Sequence, residues 1–420
     1  MKKETGKMTI LIIQLFVMLF PCMSCGGSDD DNVFTKNSEV LFSLTLDEIY
    51  SSSSFSCTID ISSSNIDKLT FIDKGLCYST TNSTPTVSDN ISISSSAEEL
   101  NMFSMNVNGL KEKTTYYVRP FLRTKEKTFY GYVQTFKTLG TSADYYPTSK
   151  EESIPTYDGY KLMWSDEFNK DGKPSQDWNY EIGFVRNEEL QWYQEGNSLV
   201  NDGCLVITGK KEQVINSNYK VGSSNWKESR SIAEYTSASL TTASSHIFKY
   251  GRFEVRAKIP VSMGAWPAIW TLGNQWAWPL CGEIDMMEYY IKDNKPTILA
   301  NACWSASKEW TAVWDESATP FSHFISKDAD WVDKFHIWRM DWDKEYIRLY
   351  LDNELLNEID LSKTQNQGWD NNYTNPFSNS LEGFGQYVIL NLALGANGGT
   401  PDDSAFPLKY KIDYVRVYQE

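Results

Sequence analysis

Residues 251–259 read GRFEVRAKI, and apolar side chains alternate with charged ones along this stretch. A period of two is typical of a β-strand that buries one face. The same alternation returns at 346–351, and 387–392 and 412–418 are indicated as further strands. No long helical period separates these strands, so the pattern predicts antiparallel sheets and not β-α-β units. One all-β unit over residues 161–420 favours a large sandwich of the jelly-roll type.

The preceding part of the chain has a different character. Residues 36–139 contain short alternating strands separated by Ser, Asn and Gly clusters, which predict a small β-sandwich. The segments 75–79 and 115–119 resemble immunoglobulin/fibronectin type III-like modules of bacterial surface proteins. All 15 tryptophans lie after residue 150, so we expect this module to be a spacer, with glycan binding as the less favoured alternative. Residues 140–160, rich in Ser, Thr, Pro and Tyr, are predicted to be a linker.

The first 24 residues are typical of an export signal, because lysines precede an apolar run at 8–20 that is too short to span a bilayer. The sequence around Cys25 resembles a bacterial lipoprotein cleavage site, which implies that this cysteine carries lipid. An ordinary signal peptide cut nearby is the alternative. Residues 25–35 form an acidic tether that resembles the surface-export tag of Bacteroidota lipoproteins. We therefore expect an exported outer-membrane lipoprotein at the cell surface.

The composition and net charge argue against several classes of binding partner and structural site. Thirty-nine basic and 55 acidic side chains leave a formal charge of −16. This negative charge argues against nucleic acid or an anionic membrane surface as the main partner, so we expect membrane contact only through the lipid anchor. We also expect a monomer. Five cysteines follow Cys25 without a C-x-x-C pair, and the chain has three histidines. Neither a disulfide framework nor a structural zinc site is indicated.

Three acids fall within one predicted strand, GEIDMMEY at 282–289. Alternation places Glu283 and Asp285 on one face, whereas strict alternation would turn Glu288 away. A β-bulge between Asp285 and Glu288 would return Glu288 to the acidic face. Two carboxyl groups about 5–5.5 Å apart are the geometry of a retaining glycosidase. A solvated acidic face is the alternative, although clustered like charges cost stability unless a function requires them.

Aromatic side chains flank this strand and favour a sugar-binding cleft. Sugar rings present apolar C–H faces that stack on aromatic rings while their hydroxyl groups form hydrogen bonds. Four tryptophans precede the strand, and we expect two of them to line the cleft and the others to pack in the core. The four are Trp266, Trp270, Trp276 and Trp278.

These residues resemble glycoside hydrolase family 16, and the resemblance covers nearly all of 161–420. It also includes WSDEF at 164–168, NEELQWY at 187–193, GAWPAIW at 264–270 and DYVRVY at 413–418. The resemblance implies a concanavalin A-like β-jelly-roll with a long concave cleft, and endo-acting, retaining hydrolysis of β-glycans without a cofactor. The bulged E-I-D-x-x-E motif is similar to the laminarinase, agarase and endo-β-galactosidase branches.

The family's roles pass to matching positions of this chain. The resemblance implies Glu283 as the nucleophile, Glu288 as the general acid/base and Asp285 as the assisting acid. Glu288 must then be protonated at the start, whereas Glu283 must be ionised. Family members often bind one structural Ca²⁺, and Glu167 and Asp413 match the places of its ligands.

The substrate remains open at this stage. Many laminarinase-like members carry a histidine on the strand after the catalytic one, whereas residues 299–304 contain none. We expect Asn301 or Trp304 to replace it, and Trp266, Trp278 and Asn391 to contribute to substrate binding. A buried structural role is the alternative for Asn391, and His336 is expected to be structural.

Three functions are compatible with the sequence. The first is a retaining endo-glycosidase acting on β-1,3/1,4-glucan or on a β-galactan, including mucin-type O-glycans. The second is a surface glycan-binding lipoprotein without turnover, which would have no need of clustered acids. The third is a transglycosylase that uses the same residues and transfers the sugar to another sugar.

Overall fold

A computed structural model describes residues 40–46, 53–62, 70–94, 102–140, 143–148 and 154–420. The predicted signal segment 1–24, Cys25 and the tether 25–35 lie outside the described residues. The chain divides into two compact units. Among the described residues, one unit contains those up to 136 outside the segments 48–55 and 107–115, and the other contains those of these two segments and of 137–420. None of the helices in the described part of the chain has the length and apolar character needed to cross a lipid bilayer.

The N-terminal strands form two small sheets, as the alternating segments predict. One sheet has the order β1-β2-β5 and the other β4-β3-β6-β7, with β8 also paired to β6. Every second residue of β5 is buried, which is the one-sided pattern expected of a sandwich strand. The likeness to fibronectin type III modules and the boundaries 36–139, 140–160 and 161–420 stay predictions. The strands are β1 (Leu41–Leu46), β2 (Ser54–Ser62), β3 (Phe71–Ser79), β4 (Asn90–Ile93), β5 (Met102–Asn108), β6 (Thr115–Thr124), β7 (Thr128–Tyr130) and β8 (Gln134–Lys137).

The larger unit is almost entirely β-structure, with short helices in its connections. Its strands are β9 (Lys161–Asp166), β10 (Asn179–Tyr180), β11 (Gln191–Tyr193), β12 (Ser198–Asn201), β13 (Cys204–Gly209), β14 (Val214–Ile215), β15 (Ile232–Ala233), β16 (Tyr235–Ser237), β17 (Ser239–Thr241), β18 (Gly251–Lys258), β19 (Ala265–Gly273), β20 (Glu283–Lys292), β21 (Lys295–Ser305), β22 (Ala312–Pro320), β23 (His336–Trp342), β24 (Tyr346–Leu351), β25 (Glu354–Asp360), β26 (Gln386–Leu394) and β27 (Leu408–Gln419). The helices are α1 (Trp226–Ser229) and α2 (Ser322–Lys327), and single 3₁₀ turns occur at Ala143–Tyr145, Glu195–Asn197, Trp331–Asp333, Leu361–Lys363, Trp369–Asn371, Ala396–Gly398 and Asp403–Ala405.

Two antiparallel sheets make the jelly-roll sandwich that the sequence predicts. The first has the order β10-β17-β26-β19-β20-β21-β22, and the second β12-β13-β27-β18-β23-β24-β25 with β9 on β27. Buried side chains of both sheets, such as Met286, Leu390, Phe253 and Val415, form one hydrophobic cluster. The strand β20, which carries the three acids, lies inside the first sheet between β19 and β21.

The charged residues of β18 are less exposed than the sequence pattern predicts. Alternation predicts exposed charges at Glu254 and Arg256, yet both are buried. Their partners come from the predicted linker: the Tyr157 hydroxyl donates to Glu254 Oε1 at 2.6 Å, and Arg256 Nη1 donates to the Tyr146 carbonyl oxygen at 2.8 Å. Part of the linker therefore packs on this sheet and satisfies charges that would otherwise face water.

Candidate active site

The predicted β-bulge is present on β20. The pairing of β20 with β21 shifts between Asp285 and Glu288, and its pairing with β19 shifts at the same place. Both intervening residues, Met286 and Met287, are buried in the core of the sandwich. Two successive side chains therefore point inward, and Glu288 joins Glu283 and Asp285 in one cavity of about 600 Å³.

Glu288 is held by two donors. Trp266 Nε1 donates to Oε1 at 2.9 Å, and Asn301 Nδ2 lies 3.3 Å from Oε2. Burial, followed by the negative charge of Glu283, raises the pKa of Glu288 to about 8. A carboxyl group with this pKa keeps its proton near neutral pH, which suits a general acid.

Glu283 accepts a hydrogen bond from Trp278 Nε1 at 2.8 Å through Oε2. Burial raises its pKa to about 7, while the Trp278 bond, the positive charge of Arg186 and a hydrogen bond with Asp285 act in the opposite direction. The positive charge of Arg186 favours ionisation of Glu283, whereas the negative charge of Glu283 disfavours ionisation of Glu288. These opposite influences match an ionised nucleophile beside a protonated acid.

Asp285 lies between the two glutamates and is the most deeply buried of the three acids. Burial, and then the charges of Glu288 and Glu283, raise its pKa well above the ordinary value. Its Oδ2 is buried and accepts no hydrogen bond, so an ionised Asp285 would leave an uncompensated charge. Burial therefore favours the protonated form of Asp285.

Four of the five predicted subsite residues line the cavity: Trp266, Trp278, Asn301 and Asn391. Asn391 accepts a hydrogen bond from Trp270 Nε1 at 2.7 Å. The fifth residue, Trp304, does not line the cavity, so the prediction that it binds substrate was wrong. It lies in the hydrophobic core, because alternation along β21 turns it away from the face that carries Asn301.

Several cavity residues were not predicted from the sequence. Trp270 also lines the cavity, so three of the four tryptophans do so where we expect two. Arg186 pairs with Glu181 and lies 5.0 Å from the Trp270 ring centroid, while Trp314 and Glu316 enter from β22. The motif at 187–193 signalled that Arg186 is close to a functional segment, whereas β22 carries no motif.

A buried hydrogen-bond network supports this wall of the cavity. Asn391 Nδ2 donates to the Tyr193 hydroxyl at 3.0 Å, and that hydroxyl donates to Glu189 Oε2 at 3.3 Å. Gln191 Nε2 donates to the same carboxylate oxygen at 2.6 Å. The conformations of Trp270 and Asn391 are thus fixed through the 187–193 segment.

Cys303 and His336 have structural roles. Cys303 is buried opposite Glu283 on β21, and burial raises the pKa of its thiol well above the ordinary value, so the thiol stays neutral. All five cysteines of the described residues are buried. His336 is buried between the Asp352 carboxylate at 2.6 Å and the Trp331 carbonyl at 2.9 Å, as expected of a structural histidine.

The two acids predicted as calcium ligands do not fit a cation site. Glu167 accepts two hydrogen bonds from Arg416, at 2.9 and 2.7 Å. Asp413 accepts from Arg256 at 2.7 Å and from Thr148 at 3.1 Å. Their negative charges are compensated by arginine, which corrects the prediction. No group of three or more possible metal ligands occurs in the parts of the chain that the structure describes.

Comparison with known proteins agrees with this geometry. Residues 188–414, more than half of the chain, match the family model described as glycosyl hydrolases family 16. The chain is 32% identical over 274 residues to the beta-glucanase of Rhodothermus marinus, a match that covers 62% of this chain and 85% of the relative. It is 29% identical over 284 residues to glucan endo-1,3-beta-glucosidase A1 of Niallia circulans, where the match covers 63% of this chain and 39% of the relative.

A solved structure is also similar. It comes from work on members of the human gut microbiota that express endo-acting O-glycanases to initiate mucin breakdown. The TM-score is 0.54 at 36% identity, over 62% of this chain and 91% of the solved one.

Proposed function

The chain belongs to glycosyl hydrolases family 16 and is a glycoside hydrolase, and we propose that it cleaves internal β-glycosidic bonds of a glycan with retention of configuration. The observation that carries this proposal is the bulge on β20, which gathers Glu283, Asp285 and Glu288 in one cavity. Two carboxyl groups with separated pKa values are the working parts of a glycosidase.

In the first step, Glu283 attacks the anomeric carbon while Glu288 gives its proton to the glycosidic oxygen. The bond to the leaving sugar breaks, and the remaining sugar is esterified to Glu283. In the second step, Glu288 takes a proton from water, which attacks the same carbon and frees Glu283. Glu288 donates the proton that the leaving sugar needs in the first step and regains a proton from water in the second. The reaction therefore needs no cofactor.

Asp285 assists the reaction by donating a hydrogen bond to the nucleophile. A hydrogen bond from Asp285 to Glu283 lowers the pKa of the nucleophile, which favours the ionised form before attack. Trp278 stabilises the same charge through its indole N–H. The neutral acid adds no further repulsion between the two glutamates.

The first candidate substrate is a galactose-containing O-glycan of the mucin type. It is favoured by the solved O-glycanase structure at 36% identity and by the absence of a histidine on β21. A β-1,3/1,4-glucan is the second candidate, favoured by the two curated glucanases. Endo action is supported by the similarity to a glucan endo-1,3-beta-glucosidase and to the structure from work on endo-acting O-glycanases.

The test is incubation with mucin O-glycans, β-galactans and β-1,3/1,4-glucans, with product sizes read by mass spectrometry. We expect mid-chain products from at least one polymer. Glu283→Gln should lower kcat by about 10³-fold or more, because amide nitrogen and oxygen cannot replace the nucleophilic carboxylate. Near-normal turnover in this variant would remove the nucleophile assignment. Exclusively terminal monosaccharide release would remove endo action.

We also propose that the protein is anchored to the outer membrane at the cell surface by lipid on Cys25. The motif after the apolar segment supports this localisation. Cys25→Ala should move the protein from the membrane fraction to the soluble fraction of cells. The matched control is Cys57→Ala, which should stay with the membrane. Unchanged membrane association of Cys25→Ala would contradict the proposal.

A further inference from the structure

An exposed tryptophan, Trp310, and a half-buried one, Trp369, form a pair outside the catalytic cavity. Trp310 lies in the turn between β21 and β22, and Trp369 lies in the 3₁₀ turn Trp369–Asn371. Their ring centroids are 4.9 Å apart, with planes inclined at 57°, and Trp310 is 58% exposed. Indole rings rarely stay in water without a partner, and clustered exposed aromatics mark interaction surfaces. Trp310 and Trp369 are called the outer platform below.

The loop that carries Trp369 is hydrogen-bonded to the segment before β20 and to the end of β21. Asn366 Nδ2 donates to the Leu280 carbonyl oxygen at 3.0 Å, and Asn366 Oδ1 accepts from the Ser305 amide at 2.9 Å. The Gln367 amide donates to the Ser305 carbonyl oxygen at 3.0 Å. These bonds join the loop to the segment before Glu283 and to the end of β21. The platform is therefore held in place before any ligand binds.

Trp314 connects the platform with the cavity. On the sheet, Glu283 is opposite Cys303 and Cys303 is opposite Trp314, so the three side chains share the cleft face. Trp314 lines the cavity and is 46% exposed. Alternation backwards from Trp314 places Ala312, the first residue of β22, on this face, and Trp310 precedes it by two residues in the turn. The platform is therefore close along the chain to a tryptophan that lines the cavity.

We propose that the outer platform binds sugar rings of the same glycan chain, beyond those held in the catalytic cavity. This inference rests on the proposed function, and its occupant is the distal part of the substrate. The apolar C–H faces of neutral pyranose rings would stack on Trp310 and Trp369, as aromatic rings favour. Continuity with the cavity through Trp314 argues for the substrate itself and not for a separate protein partner. The enzyme should consequently prefer long glycans to short ones.

The backbone of Trp310 offers a second line of support. Its φ of +53° lies in the left-handed region, where a bulky side chain is disfavoured. Glycine would relieve this strain, so a tryptophan at this place is not explained by the turn. Trp310→Gly should keep or raise thermal stability while it weakens the use of long substrates. A purely structural tryptophan would show a loss of stability instead.

The test compares kcat/KM across two length series, one of β-1,3-gluco-oligosaccharides and one of neutral N-acetyllactosamine oligosaccharides. For Trp310→Ala and Trp369→Ala we expect a penalty that grows with chain length to about 5–10-fold and that falls on KM more than on kcat. The double variant should lose less than the product of the two single losses, because both rings form one platform. The matched control is Tyr219→Ala, an exposed aromatic residue that does not line the cavity, which should show no dependence on length.

Two experimental results would contradict the platform proposal. If the wild-type protein cleaves the oligosaccharides and both variants lose nothing, or lose equally at every length, the platform proposal fails while the proposed function stands. If the wild-type protein cleaves neither these series nor the polymers, both proposals fail. Loss of folding in the alanine variants is separated from loss of binding by the thermal stability of Trp310→Gly and by its own length dependence.

Discussion

Glu283 and Glu288 should set the pH dependence of the reaction. Glu283 must be ionised, so activity is lost as pH falls through its pKa of about 7. Glu288 must be protonated, so activity is lost as pH rises through its pKa of about 8. The profile of kcat/KM should therefore be bell-shaped, with its maximum at neutral to mildly alkaline pH and its acidic limb well above the value of an ordinary glutamate.

The acidic limb can be assigned with variants that change the surroundings of Glu283 only. Trp278→Phe removes the indole donor to Glu283, so the pKa of Glu283 should rise and the acidic limb should move to higher pH. The alkaline limb, which belongs to Glu288, should move less. The measurement is kcat/KM over pH for both proteins. An acidic limb near pH 4.5 in the wild-type protein would contradict the raised pKa of Glu283.

At the scale of single elements, β21 separates substrate contact from core packing by its alternation. Asn301 faces the cavity and donates to Glu288, whereas Trp304 packs in the core. Asn301→Ala should lower kcat/KM about tenfold with little change in stability, because the lost hydrogen bond is made to a carboxyl group in the site.

Trp304→Ala is the matched variant on the other face of β21. It should lower the free energy of unfolding by about 3–5 kcal/mol through the cavity that it leaves, while the folded enzyme keeps its activity. Thermal unfolding and kinetics at a permissive temperature measure the two effects. If Trp304→Ala lost activity without losing stability, its place in the core would be wrong.

The same strands explain what the sequence could and could not predict. The bulge was predictable because two apolar residues separate acids on one strand, and all the information is local. The orientation of Trp304 was not, because it depends on which residue of β21 pairs with Glu283. Arg186 and Trp314 were missed for a related reason. They come from distant segments, and only the order of strands in the sheet brings them beside β20.

At the scale of the whole molecule, the charges on the outer sheet depend on the segment before the jelly-roll. Thr148 donates to Asp413 through its amide and hydroxyl groups, and Tyr146 and Tyr157 supply partners to Arg256 and Glu254. Asp413 and Arg256 form a buried pair. Buried ion pairs need such additional hydrogen bonds to compensate the loss of hydration. The segment 143–160 should therefore contribute to folding, beyond its length as a tether.

A truncation tests this contribution directly. A chain that begins at Lys161 should unfold at a lower temperature than one that begins at Ala143, since it loses hydrogen bonds worth about 2–3 kcal/mol in total. The expected decrease in Tm is roughly 5–10 °C. Tyr157→Phe in the longer chain is the control for one contact, because it removes the hydroxyl donor to Glu254 and keeps the ring against Tyr418. It should show a fraction of the full decrease, and equal melting temperatures for the two chain lengths would show that the segment is only a connection.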